Sequence, residues 1–382
     1  VIYFDNSATT QILPEVLDTY MKTSQRFIGN PSSLHRLGEQ AGLLLQKSRE
    51  QLAALLDVAP SEIFFTSGAT EGNNWVIKGT AAAKRPFGNH IIISSIEHPS
   101  VSETVNQLAE QGFDVTRVPV DATGHVQPED LQPLIREETI LVSVMAVNNE
   151  VGSVQPIRAI SECLAAYPNI HFHVDSVQAV GKVPVTDWLT DRVDFATFSA
   201  HKFHGPKGTG FVFWRQGRKI APLLAGGGQE NNQRSGTENV AGIVSMAKAF
   251  RLALTDSEQK TAHIRAVKDY LMASLASFDK VRIFSEHSDT SAPHILCFGL
   301  KGIRGEVLVH AFEQKEIYLS TTSACSSKKK VKSSTLLAMG VPESERTTGV
   351  RLSLDETNTL MEAEQFMIVF KQLYQQFSQI NS

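Results

Sequence analysis

Through its first two thirds the chain sets short apolar runs between longer stretches in which apolar residues recur every three or four positions. Glu62 to Thr66, His90 to Ser94, Asp114 to Pro119, Thr139 to Met145, Ile170 to Val174, Val193 to Phe198 and Gly210 to Trp214 have the length and content of strands. Pro99 to Gln111 and Ile157 to Ala166 carry helical spacing. Ser33 to Leu56 has leucines at that spacing and a serine near its start, which predicts a long helix. Such alternation is the signature of a mostly parallel sheet covered by helices. After Phe250 the pattern changes to a helix from about Ser257 to Ser277, a few strands and a last helix from about Asn358 to Phe377. The expected architecture is α/β. A large domain over residues 15–255 holds a mostly parallel, seven-stranded sheet, a smaller α+β domain covers 256–382, and an N-terminal segment, 1–14, joins them.

Composition narrows the function classes without naming one. At 382 residues and 42% hydrophobic, the chain can bury a large core, and its length fits two domains. A net charge of -4 argues against a surface built for nucleic acid, so no direct nucleic-acid partner is expected. No apolar run approaches the ~18 residues of a membrane span, and Val1-Ile2-Tyr3 opens no basic-then-apolar leader. The expectation is a soluble cytoplasmic protein with no membrane partner. Cys163, Cys297 and Cys325 make an odd, sparse set, a poor disulfide framework, and should be reduced thiols.

Candidate chemistry begins at Ser199-Ala200-His201-Lys202, directly after an apolar run. A lysine held there among small and polar residues can act as an amine nucleophile once its ammonium is desolvated. Asp175 ends another buried run and supplies an acid. A lysine amine for an aldehyde and a carboxylate for a pyridinium are what pyridoxal phosphate requires. Ser67-Gly68-Ala69-Thr70-Glu71-Gly72-Asn73 follows a strand and opens a helical pattern, so its free N–H groups, the helix dipole and the Thr70 hydroxyl suit a phosphate. Neither Gly205-Pro206-Lys207-Gly208-Thr209-Gly210 nor Gly226-Gly227-Gly228 has the spacing of a nucleotide P-loop.

Several further words occur in order from end to end: Tyr3-Phe4-Asp5-Asn6-Ser7-Ala8-Thr9-Thr10, Gly29-Asn30-Pro31-Ser32-Ser33, Thr66 to Glu71, Glu97-His98, Val147-Asn148-Asn149-Glu150, His173-Val174-Asp175, Arg234 to Asn239 and Ser323-Ala324-Cys325. With them the chain resembles the fold type I pyridoxal phosphate enzymes of the class V aminotransferase family, and among these the cysteine desulfurases of the NifS/IscS kind. The resemblance implies a cofactor held by Ala69, Thr70, His98, Asn149, Asp175, Gln178, Ser199, His201 and Lys202. Thr237 would reach the phosphate from a partner subunit, which implies a homodimer. It also implies that His98 stacks on the pyridine ring, that Gln178 lies near the phenolate oxygen, and that Asn149, with Asn148 as rival, lies beside the ring or the substrate.

Arg351 matches the arginine that clamps the substrate carboxylate, where a guanidinium fork makes two parallel bonds. Alternation in Gly349 to Leu354 puts Val350, Leu352 and Leu354 on the opposite face. Cys163 and Cys297 read as core residues. Cys325 lies in a polar stretch with four lysines nearby, which favours the thiolate. Catalysis is therefore expected from Lys202, His98 and Cys325, with L-cysteine converted to L-alanine and its sulfur passed as a persulfide to an acceptor protein. That acceptor would be an iron–sulfur scaffold or a tRNA thiolation enzyme. Thr321-Thr322 stand where the family usually has glycine, so the stretch is stiffer here. The Lys328 to Lys332 run reads as a solvated face, with docking to an acidic acceptor as the rival. Two alternatives stand beside this reading: a selenocysteine lyase or aminotransferase on the same fold, and a catalytically silent binding protein.

Overall fold

The computed structural model describes residues 1–322 and 333–380. Its strands are, in chain order, β1 (Ile2–Tyr3), β2 (Ile63–Thr66), β3 (His90–Ser94), β4 (Asp114–Val118), β5 (Thr139–Ser143), β6 (His171–Asp175), β7 (Phe195–Ser199), β8 (Gly210–Trp214), β9 (Val281–Ile283), β10 (Ile295–Leu300), β11 (Ile317–Tyr318), β12 (Ser320–Thr321) and β13 (Gly349–Ser353). Seven of these form one sheet in the order β2-β8-β7-β6-β5-β3-β4. Pairing is parallel from β7 to β4, and only β8 runs against its neighbours β2 and β7. β3, β5, β6, β7 and β8 are buried along their whole length, as strands covered on both faces must be, whereas edge strand β4 is partly exposed.

Helices Arg36–Leu56, Ala69–Lys84, Pro99–Glu110, Ile157–Leu164 and Val240–Leu254 pack around this sheet. The first begins later than its sequence suggested, because His35 rather than a serine caps it, through a 3.2 Å bond from the Gly38 N–H to Nδ1. His98 and Pro99 start the third, a histidine cap followed by the residue pre-set for a first helical turn.

A second core joins Ile2 and Phe4 to helices Ser257–Ala276 and Leu360–Ile380 and to the sheet β12-β13-β10-β9. β1 pairs in parallel with β11, so the first residues of the chain belong to this C-terminal core. Residues 5 to 10 then cross to the large sheet: Asp5 bridges Ser353, and the Thr10 N–H reaches the His201 carbonyl at 2.9 Å. Among the described residues no helix is long and apolar enough to cross a membrane.

Candidate active site

The carboxyl ends of β2, β3, β5, β6 and β7 open onto one cleft of about 580 Å³, where open α/β sheets bind ligands. Each strand delivers its residues there directly or through the following turn. The N-terminal segment adds Ser7 to Thr9, and the second core adds Arg351.

Lys202 is set by packing on both sides. Phe198 stacks on Phe211 at 4.2 Å, and Phe203 meets Phe250 edge-on at 5.4 Å, so two buried rings hold the turn between them. The amine donates to the carbonyls of Ser7 at 2.6 Å and Ala8 at 2.8 Å. Asp175 closes β6 and is buried, with Oδ1 accepting the Val177 N–H at 3.0 Å and Oδ2 accepting the Asn73 amide at 2.8 Å. Asn73 is missing from the sequence-based set. Its helical spacing from the buried Val76, Ile77, Thr80 and Ala81 marks Asn73 as inward-facing but does not point to Asp175 as its partner.

At the cleft's other end, Gly68 opens helix Ala69–Lys84 with φ 151 and no side-chain cap. A Cβ on Gly68 would stand 3.3 Å from Ser199 Oγ, inside the space between the helix start and β7. Ala69, Thr70, Ser199 and His201 all line this end. Burial, with Lys202 and Lys207 nearby, pushes the His201 imidazole down to about 4, so it is neutral near pH 7. Its Nδ1 lies 3.1 Å from Thr9 Oγ1. Glu71 also lines the cleft but is paired: Arg234 forks onto it at 2.7 and 3.0 Å, and the Ser67 N–H donates at 2.8 Å. Burial pushes that carboxyl up, and these bonds outweigh it and hold it below its usual value. An uncapped helix start beside a hydroxyl and an imidazole suits a phosphate. With the amine and carboxylate at the other end, the residues present fit pyridoxal phosphate.

His98 lines the cleft while its Nδ1 accepts the Ser100 N–H at 3.1 Å. Burial lowers its pKa, with Asp175 opposing and Lys202 adding, which keeps the ring neutral. Gln178 donates to the Ser7 carbonyl at 3.0 Å. Of the two adjacent asparagines, Asn149 lines the cleft. Asn148 is wholly buried, and its side chain binds Glu150 N, Val151 N, Ile96 O and Thr335 Oγ1. Arg351 is 3% exposed, and Val350 and Leu352 on either side of it enter the second core. Its Nη1 donates to the Asn149 carbonyl at 2.9 Å and Nη2 to Asp5 Oδ1 at 3.0 Å, while Nε is buried and finds no partner among the described residues.

Two buried carboxyls flank the site. Glu97 accepts from Met145 N at 2.8 Å and from Ser94 Oγ; burial, reinforced by Asp175, pushes it up to about 8 against those bonds. Glu150 is pushed up by burial to about 7, against bonds from Ser333 and Thr335 and the charge of Arg351. Thr237 is exposed and does not line this cleft. Cys297 is buried in β10, but Cys163 is only partly buried and not the core residue its helical stripe suggested. Cys325 and the Lys328 to Lys332 run lie outside the described residues.

A largely parallel seven-stranded sheet with this cleft defines a fold type I pyridoxal phosphate site. Residues 2–366 match the family described as Aminotransferase class-V, and the chain belongs to this family of pyridoxal phosphate-dependent enzymes. It is 55% identical over 381 residues to a "NifS/IcsS protein homolog" of Lactobacillus delbrueckii subsp. bulgaricus, covering 100% of this chain and 99% of that protein. It is 41% identical over 374 residues to "Cysteine desulfurase IscS" of Methanosarcina thermophila, covering 98% and 92%. A solved structure named "NIFS-LIKE PROTEIN" superposes with a TM-score of 0.91 at 39% identity, covering 99% of both chains.

Proposed function

We propose that this chain is a pyridoxal phosphate-dependent cysteine desulfurase that turns L-cysteine into L-alanine. The observation that carries the site assignment is the convergence on one cleft of an amine, Lys202, a buried carboxylate, Asp175, and a guanidinium, Arg351. Pyridoxal phosphate bound there supplies an aldehyde for an amine and a ring that accepts electron density from Cα. Ala69, Thr70, Ser199 and His201 would hold the phosphate, with Thr237 of a second copy completing it in a homodimer. Asp175 would hold the ring nitrogen, Gln178 the phenolate side and His98 the ring face.

Arg351 fixes the substrate by its carboxylate, with Asn149 beside it. The Lys202 amine, once exchanged for the substrate amine, takes the proton from Cα. Neutral His98 is placed to move protons at the substrate. The Cys325 thiolate then attacks the substrate sulfur: an S–S bond forms, the Cβ–S bond breaks, its electron pair stays with Cβ, which takes up a proton, and Cα regains the proton carried by Lys202 to give alanine. The persulfide sulfur passes to an acceptor protein of iron–sulfur assembly or tRNA thiolation in the cytoplasm. In this reading residues 15–255 form the cofactor-binding domain and 256–382 the smaller one.

The decisive experiment is Cys325→Ser beside Cys163→Ser and Cys297→Ser. Cys325→Ser should lose alanine formation from cysteine, at least a hundredfold, while keeping the cofactor colour and its response to cysteine, because a serine hydroxyl is not ionised at neutral pH. The other two should keep turnover. Full alanine production by Cys325→Ser would return the chain to the lyase or aminotransferase alternative.

A further inference from the structure

Asn73 sits one turn into helix Ala69–Lys84, 0% exposed, and every polar atom of its side chain is used. Nδ2 donates to Asp175 Oδ2 and to Ser100 Oγ, both at 2.8 Å, and Oδ1 accepts the Thr197 hydroxyl at 2.5 Å. A carboxylate can only accept, so the amide orientation is fixed by chemistry.

The directions of the neighbouring bonds follow from that one. Thr197 spends its proton on Asn73, so its oxygen accepts from His173 Nε2 at 3.3 Å, and His173 Nδ1 accepts from Ser143 Oγ at 2.8 Å. Burial lowers His173 to about 4, in keeping with the neutral ring this requires. On the other branch, Ser100 accepts from Asn73 and turns its own proton to His98 Nδ1 at 2.8 Å. The row of donors runs one way, from Ser143 through His173 and Thr197 to Asn73, and there it divides between Asp175 and His98.

We infer that Asn73 is a positioning residue for this reaction, setting the orientation of the Asp175 carboxylate toward the cofactor's ring nitrogen from the same helix whose first turn faces the phosphate. The inference rests on the reading of Asp175 as the ring partner. Among the described residues the Val177 N–H alone holds Oδ1, which leaves rotation about that bond open. The Asn73 amide closes it at Oδ2, and no other donor to Oδ2 is found among the described residues. Asn73 itself does not line the cleft, so it acts only through Asp175 and, by way of Ser100, through His98.

The test uses the full chain freed of cofactor and titrated by absorbance with pyridoxal phosphate and with its 1-deaza analogue, which keeps the aldehyde, phenol and phosphate but replaces the ring nitrogen by C–H. The parent protein should prefer the natural cofactor by tenfold or more, the order expected for a hydrogen bond to a charged group. Asn73→Ala should lose most of that preference and bind the analogue as the parent does. Ser100→Ala, which cuts only the His98 branch, should keep it. A parent without preference would refute the reading of Asp175, and the inference with it. A parent with preference and an Asn73→Ala variant that retains it within twofold would overturn the inference alone, as would Ser100→Ala losing it equally. If Asn73→Ala fails to fold, Asn73→Leu decides: it fills much the same space but offers Oδ2 no donor, so the preference should fall, and an unchanged preference would overturn the inference.

Discussion

Arg351 is the residue whose removal tests the substrate side of the cleft most sharply. It is pinned from two directions, by the Asn149 carbonyl and by Asp5, and its third N–H position, Nε, is buried with no partner among the described residues. A substrate carboxylate bound there gains charge-assisted bonds, each worth about 1.5 to 3 kcal/mol. Two such bonds, less the cost of competing with Asp5 for Nη2, leave about 3 to 4 kcal/mol. At 1.4 kcal/mol per tenfold, Arg351→Ala should lower kcat/KM for cysteine by roughly 10² to 10³. Arg351→Lys should recover only part of this, because an ammonium cannot form the two parallel bonds. The assay is alanine formation against cysteine concentration, with cofactor absorbance recorded on the same samples so that lost loading is not mistaken for lost binding. A fully loaded Arg351→Ala enzyme within threefold of the parent kcat/KM would refute the assignment. Asp5→Asn provides the opposite arm: it keeps an oxygen for Nη2 but removes the competing charge, so KM for cysteine should fall severalfold. A rise would mean that Asp5 aims Arg351 rather than competing for it.

Borohydride reduction of the protein loaded with pyridoxal phosphate should fix the cofactor to the peptide bearing Lys202, and Lys202→Ala should abolish both the yellow colour and the adduct; an adduct on Lys207, which also lines the cleft, would move the assignment. Glu97 holds its proton up to about pH 8 in the folded chain but only to the ordinary 4.5 when unfolded. The unfolded chain therefore binds fewer protons between those values, and stability falls as pH rises through that window. Glu97→Gln should remove this loss, worth a few kcal/mol in all, so the gap in urea midpoint between variant and parent should widen from pH 5 to pH 8. A constant gap would show that Glu97 is ionised in the folded chain throughout.

Fully buried strands were the most legible part of the fold, because an apolar run bounded by turn residues leaves little choice: His90 to Ser94 and Gly210 to Trp214 were read residue for residue. Ends were less so. β7 begins at Phe195 rather than Val193, where Asp194 carries ion pairs with Arg192 and Arg218. Strand order is invisible in one-dimensional patterning, and nothing local marks β8 as the strand running against its neighbours. In the site, Lys202 and Asp175 stood out because each follows or ends a buried strand, where a charge needs a reason. Asn73, Ser100 and Thr197 did not, since a lone amide or hydroxyl within an apolar pattern is usually satisfied locally. The Ser7 and Ala8 carbonyls that receive Lys202 could not be read at all, because main-chain atoms carry no side-chain signal.

Those carbonyls bear on how the two ends of a substrate are kept in register. Lys202 comes from the large sheet and Arg351 from the second core, and the contacts between these bodies include one short stretch of backbone. Asp5 holds Nη2 of Arg351, Ser7 and Ala8 hold the Lys202 amine, and the Ser7 carbonyl also takes the Gln178 amide. The same stretch is tied to the second core by Asn6, which donates to Ser353 O at 3.2 Å and to Asn358 Oδ1 at 3.1 Å, and to the large sheet by Thr10, whose hydroxyl donates to His201 O at 2.9 Å. Carboxylate binding and Cα proton removal must be aligned to a fraction of an ångström for the reaction to benefit from proximity. Within this stretch Asp5 touches one group and Ser7 and Ala8 the other, and the Ala8 N–H closes a turn on the Asp5 carbonyl at 3.0 Å, so a shift of either body is passed through one turn to the other. That accounts for a stretch rich in polar residues, Asp5 to Thr10, whose side chains and carbonyls reach Gln178, Lys202 and Arg351, groups that lie more than 160 residues further along the chain.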